Sequence, residues 1–402
     1  MDMTTPEEYP AADEYSAPST PATPGGRPAG RTAVSRIAAL IQGRALGLLL
    51  ITGLVLFPFV FSWLSSSPID DGPPKFWQGQ LIAVFIIAVY AMSYDLLMGY
   101  TGILSFGHAA FFGGGAYAMA LFLAHIAPRF TSSYRIVIFG SVNITDVLVL
   151  LGGILLAVVV SLLLGLLFSA VSVRVKGAYF AMVTLALAEA IHILSKATDF
   201  VEWTGADEGL HGVPVPVWLN PTQFRLRFYF IALAFAVIMY LVARRIVHSP
   251  TGRVFIAVRE NESRARMIGY NPALYRTLAF VTSAVIAGLA GGLYALWTRS
   301  ATPTMTGTGT TVDALIMTIL GGIGTLIGPM LGAGMMEIFG HFFYQWFGAR
   351  WPLVFGIIFV ALVMFLPYGI VGTIQARTFQ WKEGWRRWLQ LLGWRGRNSN
   401  PE

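Results

Sequence analysis

The chain has 402 residues, of which 55% are hydrophobic and 12% are charged, and its mean hydropathy is +0.65. A soluble domain needs more charge than this to cover its surface, so a soluble globular protein is excluded. Cysteine is absent, which excludes disulfides, thiolate metal sites and a cysteine nucleophile. The net charge of +7 gathers near the ends of apolar runs, which indicates membrane topology rather than nucleic-acid binding.

The N-terminal region is predicted to be a disordered tail over residues 1–40, because it is rich in Pro, Ala, Thr and Ser and lacks an apolar period. The basic stretch that contains Arg27, Arg31 and Arg36 begins too late for a signal peptide, and the apolar run after it is too long. We therefore expect the first apolar run to be a start-transfer helix that is retained.

The apolar runs predict an all-α polytopic membrane protein, with a transmembrane domain over residues 41–376 and about ten spans of bilayer length. The predicted spans are 45–64, 77–98, 103–125, 147–172, 177–196, 226–243, 277–298, 313–327, 329–347 and 352–374. The eighth and ninth spans are short and rich in glycine, so a re-entrant hairpin with eight crossings is an alternative.

The charged loops orient these spans. With both termini in the cytoplasm, the seven arginines of the 244–276 loop lie inside, as do Arg174 and Lys176. The 198–224 loop carries four acids and no Lys or Arg, and falls outside. Ten and eight crossings satisfy the charge pattern equally.

The C-terminal tail, residues 377–402, interleaves Trp381, Trp385, Trp388 and Trp394 with Arg and Lys. This pattern predicts an amphipathic helix on the inner membrane face. A solvated basic tail that only orients the protein is the alternative.

Two glycine-rich stretches are candidates for a translocation pathway, because broken helices at membrane depth occur only against protein or a water-filled cavity. The alternative is close helix packing. The candidate pathway and gating residues are Gly102, Gly107, His108, Gly113, Gly322, Gly324, Gly328 and Pro329. Of these, His108 is interpreted as a packing residue rather than a proton relay.

The predicted fifth span places Glu189 and His192 three residues apart on one helix face. A carboxylate within a span usually faces a bundle interior or a cavity. The pair is interpreted as structural, and a proton-coupling pair is the alternative.

The 244–276 loop alternates apolar and charged residues from Val254 to Ile268, which predicts one short amphipathic helix that Gly269 closes and Asn271-Pro272 stops. By chemistry alone, such a helix lies on the membrane surface or binds a cytoplasmic partner. The chain has no phosphate-binding loop, zinc motif or nucleophile elbow. We therefore predict no enzyme activity, no catalytic residues, no metal and no cofactor.

Six segments, in the same order along the chain, resemble the LivM-type permeases of bacterial branched-chain amino acid importers, which are ATP-binding cassette systems. The segments are 99–120, 174–194, 205–214, 251–271, 280–295 and 320–333. The loop and the LGGIGTLIGP run carry the most specific resemblance. Two departures are Ser263-Arg264-Ala265, where many such permeases have Glu-Ala-Ala, and Ala206-Asp207-Glu208-Gly209, where the family usually has Gly-Ser-Asp-Gly.

The resemblance implies a permease subunit in the bacterial inner membrane that translocates leucine, isoleucine and valine. It implies four partners: a second, LivH-like permease, two cytoplasmic ATPases and an extracytoplasmic binding protein. The implied ATPase-coupling residues are Arg259, Glu260, Glu262, Ala265 and Gly269. Replacing Arg259 and Glu260 together should uncouple ATP hydrolysis from uptake. Urea, amides or another amino acid are alternative substrates, and a secondary transporter or channel is an alternative class.

Overall fold

The computed structural model describes residues 33–131, 137–139, 142–175, 177–366 and 369–373. The longer helices are α1 (Ala33–Ser65), α2 (Gly72–Thr101), α3 (His108–Leu121), α5 (Ile144–Arg174), α6 (Ala178–Lys196), α8 (Arg225–Val247), α9 (Pro250–Glu260), α11 (Pro272–Thr298), α12 (Thr308–Gly321), α13 (Ile327–Phe347) and α14 (Trp351–Phe365). The short helices are α4 (Ala127–Thr131), α7 (Val201–Thr204) and α10 (Glu262–Met267). A π-helical turn, Phe122–Ile126, joins α3 to α4.

The chain divides into two units between Phe57 and Pro58, within α1. The described part of the first unit is helical and exposes Leu48, Leu49 and Leu50. The helix contacts and the candidate site belong to the second unit, which begins at Pro58. The predicted N-terminal tail up to residue 32, Lys176 and the Trp-rich tail 377–402 lie outside the described residues, while residues 33–40 belong to α1.

Two small antiparallel sheets accompany the helices in the described chain. Strands β1 (Val137–Phe139) and β2 (Val142–Asn143) pair with each other. Strands β3 (Leu210–His211) and β4 (Ser300–Ala301) pair Leu210 with Ala301. The second sheet ties the acidic loop before α8 to the end of α11.

The all-α membrane architecture is confirmed. Among the described residues, eight helical runs are long and apolar enough to cross a membrane. They are α1, α2, α5, α6, α8, α11, the run His108–Arg129 and the run that begins with α13. Helix α12 has 14 residues, or about 21 Å at 1.5 Å per residue, less than the roughly 30 Å of a bilayer core. Ten crossings, or eight with a hairpin, stay a prediction.

The third predicted span begins later than expected. The chain from Gly102 to Gly107 is not helical, and α3 starts at His108. Gly102 has φ 70°, a left-handed conformation that ends α2 and that glycine adopts without steric strain.

Helices α2, α3 and α11 form the buried centre of the second unit. In α2 the side chains of Ile82, Ile86 and Val89 are fully buried. The backbones of α3 and α11 are in direct contact. A Cβ at Gly115 would overlap the carbonyl group of Gly288, so glycine is required there. Small residues allow this contact in membrane helices, where packing rather than water exclusion drives association.

Candidate functional site

The segment between α8 and α11, residues 249–271, contains two helices. Ser249 caps α9, accepting a hydrogen bond from Gly252 N at 3.3 Å, and Pro250 occupies the first turn. Asn261 is extended and caps α10 through a bond from Arg264 N at 2.9 Å. The prediction of a single helix was therefore wrong, because the cap formed by Asn261 starts a second helix instead of continuing the first.

The inner face of this α9–α10 segment packs on the rest of the molecule. Val254, Val258 and Ala265 form a buried cluster with Tyr275 of α11 against it. Ala265, which the family pattern assigned to coupling, is thus a contact between α9 and α10 and is 1% exposed. A larger side chain there would force the two helices apart.

Glu262 joins the same segment to α11. Its carboxylate accepts hydrogen bonds from Arg276 at 2.7 Å and Arg266 at 3.2 Å. Both Glu262 and Arg276 are mostly buried, where a charged pair resists disruption because removal of one partner leaves an uncompensated charge. Glu262 therefore holds α10 against the start of α11.

The outer face of the segment is open and mixed in character. Met267 is 86% exposed and Ile268 is 67% exposed, next to the exposed Glu260 and Arg264. Gly269 has φ 95° and open space around its Cα, so it turns the chain without packing. Sequence reasoning assigned no partner contact to Met267 or Ile268, since both fitted the apolar face of one continuous helix.

Arg259 extends from α9 to the end of α2. Its Nη1 donates a hydrogen bond to the carbonyl oxygen of Gly99. Its aliphatic stem lies against Gly102, where a Cβ would stand 2.9 Å from Arg259 Cγ. The structure thus brings two predicted residues of different classes, Arg259 and Gly102, into contact.

Asp95, one turn before Gly99 in α2, is fully buried. Its carboxylate accepts bonds from Gly324 N at 2.6 Å and from Leu326 N at 3.1 Å. Gly324 and Leu326 form the turn between α12 and α13 and have φ 77° and 57°. Asp95 therefore holds two of the three positive-φ residues of this turn, the third being Gly322.

Sequence reasoning missed Asp95, although a signal was present. It is the only acidic residue of α2, and a carboxylate inside a span is costly unless it has a functional or structural partner. Gly99 makes room for it, since a Cβ there would overlap Asp95 Oδ1 and stand 2.7 Å from Gly324 N.

The other predicted glycines of the α12–α13 turn pack near this point. Gly322 has φ 122°. Gly328 lies against Gly321, where a Cβ on either residue would meet the other's backbone. Pro329 is buried in the first turn of α13. A pathway role for these residues stays a prediction.

Gly107, His108 and Gly113 lie in helix contacts. A Cβ at Gly107 would overlap Phe168, and one at Gly113 would overlap Thr306. His108 is fully buried, and its Nε2 is 2.8 Å from Ser93 Oγ. A pathway role for these three residues also stays a prediction.

Glu189 and His192 do not bond each other. His192 Nδ1 is 3.0 Å from both the Pro303 carbonyl oxygen and Thr306 Oγ1. Thr308 Oγ1 donates to Glu189 Oε2 at 3.3 Å. His192 therefore ties α6 to the 3-10 turn Pro303–Thr306, and Glu189 bonds separately to the start of α12.

A cavity of about 700 Å³ lies at the end of α11 remote from the α9–α10 segment. It opens between α12 and α13 and is called the α12–α13 cavity below. Its lining includes the side chains of Thr298 and Thr302 and the acidic residues Asp313 and Glu337. None of the eight predicted pathway residues lines it. Within the described chain, no group of three or more His, Cys, Asp or Glu is suited to a metal ion.

Comparison with known proteins identifies a family and several relatives. A family model described as "Branched-chain amino acid transport system / permease component" matches residues 78–367. The chain is 25% identical over 214 residues to the high-affinity branched-chain amino acid transport system permease protein LivM of Salmonella typhimurium, covering 47% of this chain and 50% of that protein. LivM of Escherichia coli matches with the same identity and coverage.

A second group of relatives has a different name. The chain is 31% identical over 156 residues to the autoinducer 2 import system permease protein LsrC of Photorhabdus laumondii, covering 37% of this chain and 44% of that protein. The chain spans about half the length of the curated relatives it matches. No solved structure matches the chain.

Proposed function

This chain belongs to the branched-chain amino acid transport permease family, and from that we propose that it is the membrane-spanning subunit of an ATP-binding cassette importer in the bacterial inner membrane. Separate ATPase subunits hydrolyse ATP, and a second, LivH-like permease and an extracytoplasmic binding protein complete the importer. Leucine, isoleucine and valine are the proposed substrates. The family description and the LivM relatives support branched-chain amino acids as the substrate class. The relative LsrC is named for the import of a different solute, autoinducer 2.

One observation carries the proposal: the exposed α9–α10 segment is connected to the membrane helices by directed bonds. Arg259 of α9 bonds to Gly99 of α2. Asp95, one turn earlier, bonds to the turn between α12 and α13. A force applied to the outer face of α9–α10 therefore reaches two membrane elements through bonds rather than through solvent.

In the proposed mechanism, closure of an ATPase pair displaces the α9–α10 segment. The displacement acts on the end of α2 through Arg259, and on the α12–α13 turn through Asp95. Since a turn with three positive-φ residues has few alternative conformations, it moves as a unit with the carboxylate that holds it. The helices then open the pathway alternately to each side.

The docking part of the proposal is tested with a double variant, Met267→Asp/Ile268→Asp, in the complete importer. Two carboxylates on this exposed apolar surface should abolish co-purification of the ATPases and ATP-driven uptake of labelled leucine. The matched control is Val217→Asp. It places a carboxylate on another apolar side chain, which is 61% exposed and lies in the loop before α8, away from the α9–α10 segment. Normal co-purification and uptake in the double variant would contradict this docking surface.

The transmission part is tested with Asp95→Asn. The amide keeps the size of the side chain but presents one acceptor oxygen to two backbone donors. A charge-assisted hydrogen bond contributes about 1.5–3 kcal/mol, so uptake per ATP hydrolysed should fall about tenfold or more. The ATPases should remain bound, because Asp95 is buried away from the docking surface. Unchanged uptake per ATP would rule out transmission through Asp95.

The substrate is tested separately by competition. Uptake of labelled leucine by the complete importer should be inhibited by isoleucine and valine and not by urea or acetamide. Inhibition by urea alone would assign the importer to the alternative substrate class.

A further inference from the structure

The α12–α13 cavity combines a size and a lining that suit a small organic ligand. Its volume of about 700 Å³ lies within the range of small-molecule sites. Hydroxyl groups of Thr298, Ser300, Thr302, Thr304 and Thr310 line it. The hydroxyls of Thr298 and Thr310 already donate to backbone carbonyl oxygens. What they offer a polar solute is therefore acceptor oxygens, which suit an N–H donor.

The Asp and Glu residues of the cavity lining have no basic Lys or Arg residue among them. Asp313 and Glu337 line it from α12 and α13, and no Lys or Arg is among the described lining residues. Neither carboxylate forms a hydrogen bond or an ion pair within the described part of the chain. His341 also lines the cavity, and its Nε2 is 3.0 Å from Gln345 Nε2.

An aromatic wall adjoins the two carboxylates. The rings of Tyr90 and Phe112 are 4.6 Å apart, and those of Phe112 and Tyr294 are 5.6 Å apart. All three residues line the cavity. The Tyr90 hydroxyl donates to the Thr310 carbonyl oxygen at 3.1 Å, which orients the ring. Aromatic faces attract cations and also contact alkyl groups, and they do so more strongly where water is displaced.

We propose that the α12–α13 cavity binds the ammonium group of an alkylammonium solute, with Asp313 and Glu337 accepting its N–H bonds and the Tyr90–Phe112–Tyr294 wall contacting its carbon chain. The two carboxylates have no Lys or Arg beside them among the described residues that line the cavity, an arrangement that a cationic ligand compensates. The link to transport rests on the proposed function: the permease itself would then select for solutes that carry a protonated amine over neutral ones. Binding to the cavity is independent of that link.

The experiment compares two probes with the same carbon skeleton, 3-methylbutylammonium and the neutral 3-methylbutan-1-ol. Binding of each is measured to the full-length chain in lipid nanodiscs, with tritiated probe in a scintillation proximity assay. The alcohol reports partition into lipid and apolar contact alone. We expect the wild-type protein to bind the ammonium at least tenfold more tightly. Equal affinities would overturn the proposal without any variant.

The variants Asp313→Asn and Glu337→Gln should each lower the affinity for the ammonium at least fivefold and leave alcohol binding unchanged. The matched controls are Asp207→Asn and Glu208→Gln, which neutralise exposed acids of the outer loop. A loss of equal size in the controls would show a general charge effect and overturn the site. Displacement of the ammonium by millimolar NaCl, with no change on adding choline chloride, would assign the cavity to an inorganic cation and also overturn it.

This binding assay needs no ATPase, so its outcome is separate from that of the proposed function. Ammonium binding together with absent ATP-driven uptake would sustain the cavity and reject the importer. Leucine uptake together with equal affinities for the two probes would support the importer and reject the ammonium site in the cavity.

Discussion

At Gly102, both the backbone conformation and the packing of a neighbouring side chain require glycine. Its φ of 70° is unfavourable for residues with a Cβ. The Arg259 stem occupies the space that a side chain would need. Because Gly102, the cap that follows α2, has no side chain, the Arg259 stem can pass it to reach the Gly99 carbonyl oxygen.

Gly102→Ala should therefore destabilise the protein by about 1–2 kcal/mol from the left-handed conformation alone, with further loss from displacement of Arg259. The measurement is the thermal unfolding midpoint of the purified protein in detergent. The control is Gly309→Ala in α12, where the glycine is helical and has nothing within 4 Å. In this control the midpoint should stay the same or rise, because Ala is favoured over Gly within a helix by up to about 1 kcal/mol. Equal shifts in both variants would contradict the argument.

At the scale of elements, the pair α3–α11 shows how glycines set the distance between helices. A Cβ at Gly291 would overlap the Phe112 carbonyl oxygen, whereas one at the adjacent Gly292 would lie 3.5 Å from Met119 Cε. Neighbouring glycines in one helix thus have different roles. Gly291 permits backbone contact, and Gly292 faces a flexible side chain.

Gly291→Ala should lower the thermal unfolding midpoint, because overpacking of a tight contact costs about 1–3 kcal/mol. Gly292→Ala should be tolerated, because its new methyl group meets Met119 at ordinary van der Waals distance and Met side chains adapt. Fluorescence-detected size-exclusion after heating measures both variants. The contact would be misassigned if Gly292→Ala proved the more damaging of the two.

For the whole molecule, the arrangement of α11 separates two surfaces. The α9–α10 segment precedes its first residue, and strand β4, which pairs with β3 of the acidic loop region, follows its last. With 27 residues, α11 is about 40 Å long, enough to cross a bilayer core. The acidic loop and the basic α9–α10 segment therefore belong to opposite ends of one helix.

This separation predicts labelling from opposite sides of the membrane. The native chain contains no cysteine, so single cysteines can be introduced without background. Asp207→Cys, at a side chain that is 80% exposed, should react with an impermeant maleimide in intact spheroplasts. Met267→Cys, 86% exposed, should react only after permeabilisation. The reverse pattern would invert the proposed topology.

Much of the architecture could be predicted from the sequence because apolar length is a local property. The predicted span 177–196 corresponds to α6, Ala178–Lys196, and the predicted span 329–347 corresponds to α13, Ile327–Phe347. The predicted stop at Asn271-Pro272 is the start of α11, where the Asn271 side chain accepts from Ala273 N at 3.1 Å. The break at Asn261 was missed, because an Asn within an amphipathic period is compatible with helix until its cap is formed.

The bonds of the candidate site were beyond prediction for a different reason. Asp95 and Gly324 are 229 residues apart, and Arg259 and Gly99 are 160 apart. No periodicity links positions at such distances, so the sequence marks each residue as unusual without pairing them. Asp313 and Glu337 likewise line one cavity because α12 and α13 pack against each other.

Composition and apolar run lengths by themselves determined a helical membrane protein, its helix boundaries to within a few residues at most sites, and a basic segment between α8 and α11. These properties depend on hydrophobic transfer and on charge, which act residue by residue. Only the tertiary structure decided that Asp95 holds the α12–α13 turn, that Arg259 contacts the end of α2, and that Ala265 points inward while Met267 points outward. Those outcomes depend on which surfaces meet, and close packing resolves them only when distant helices are brought together.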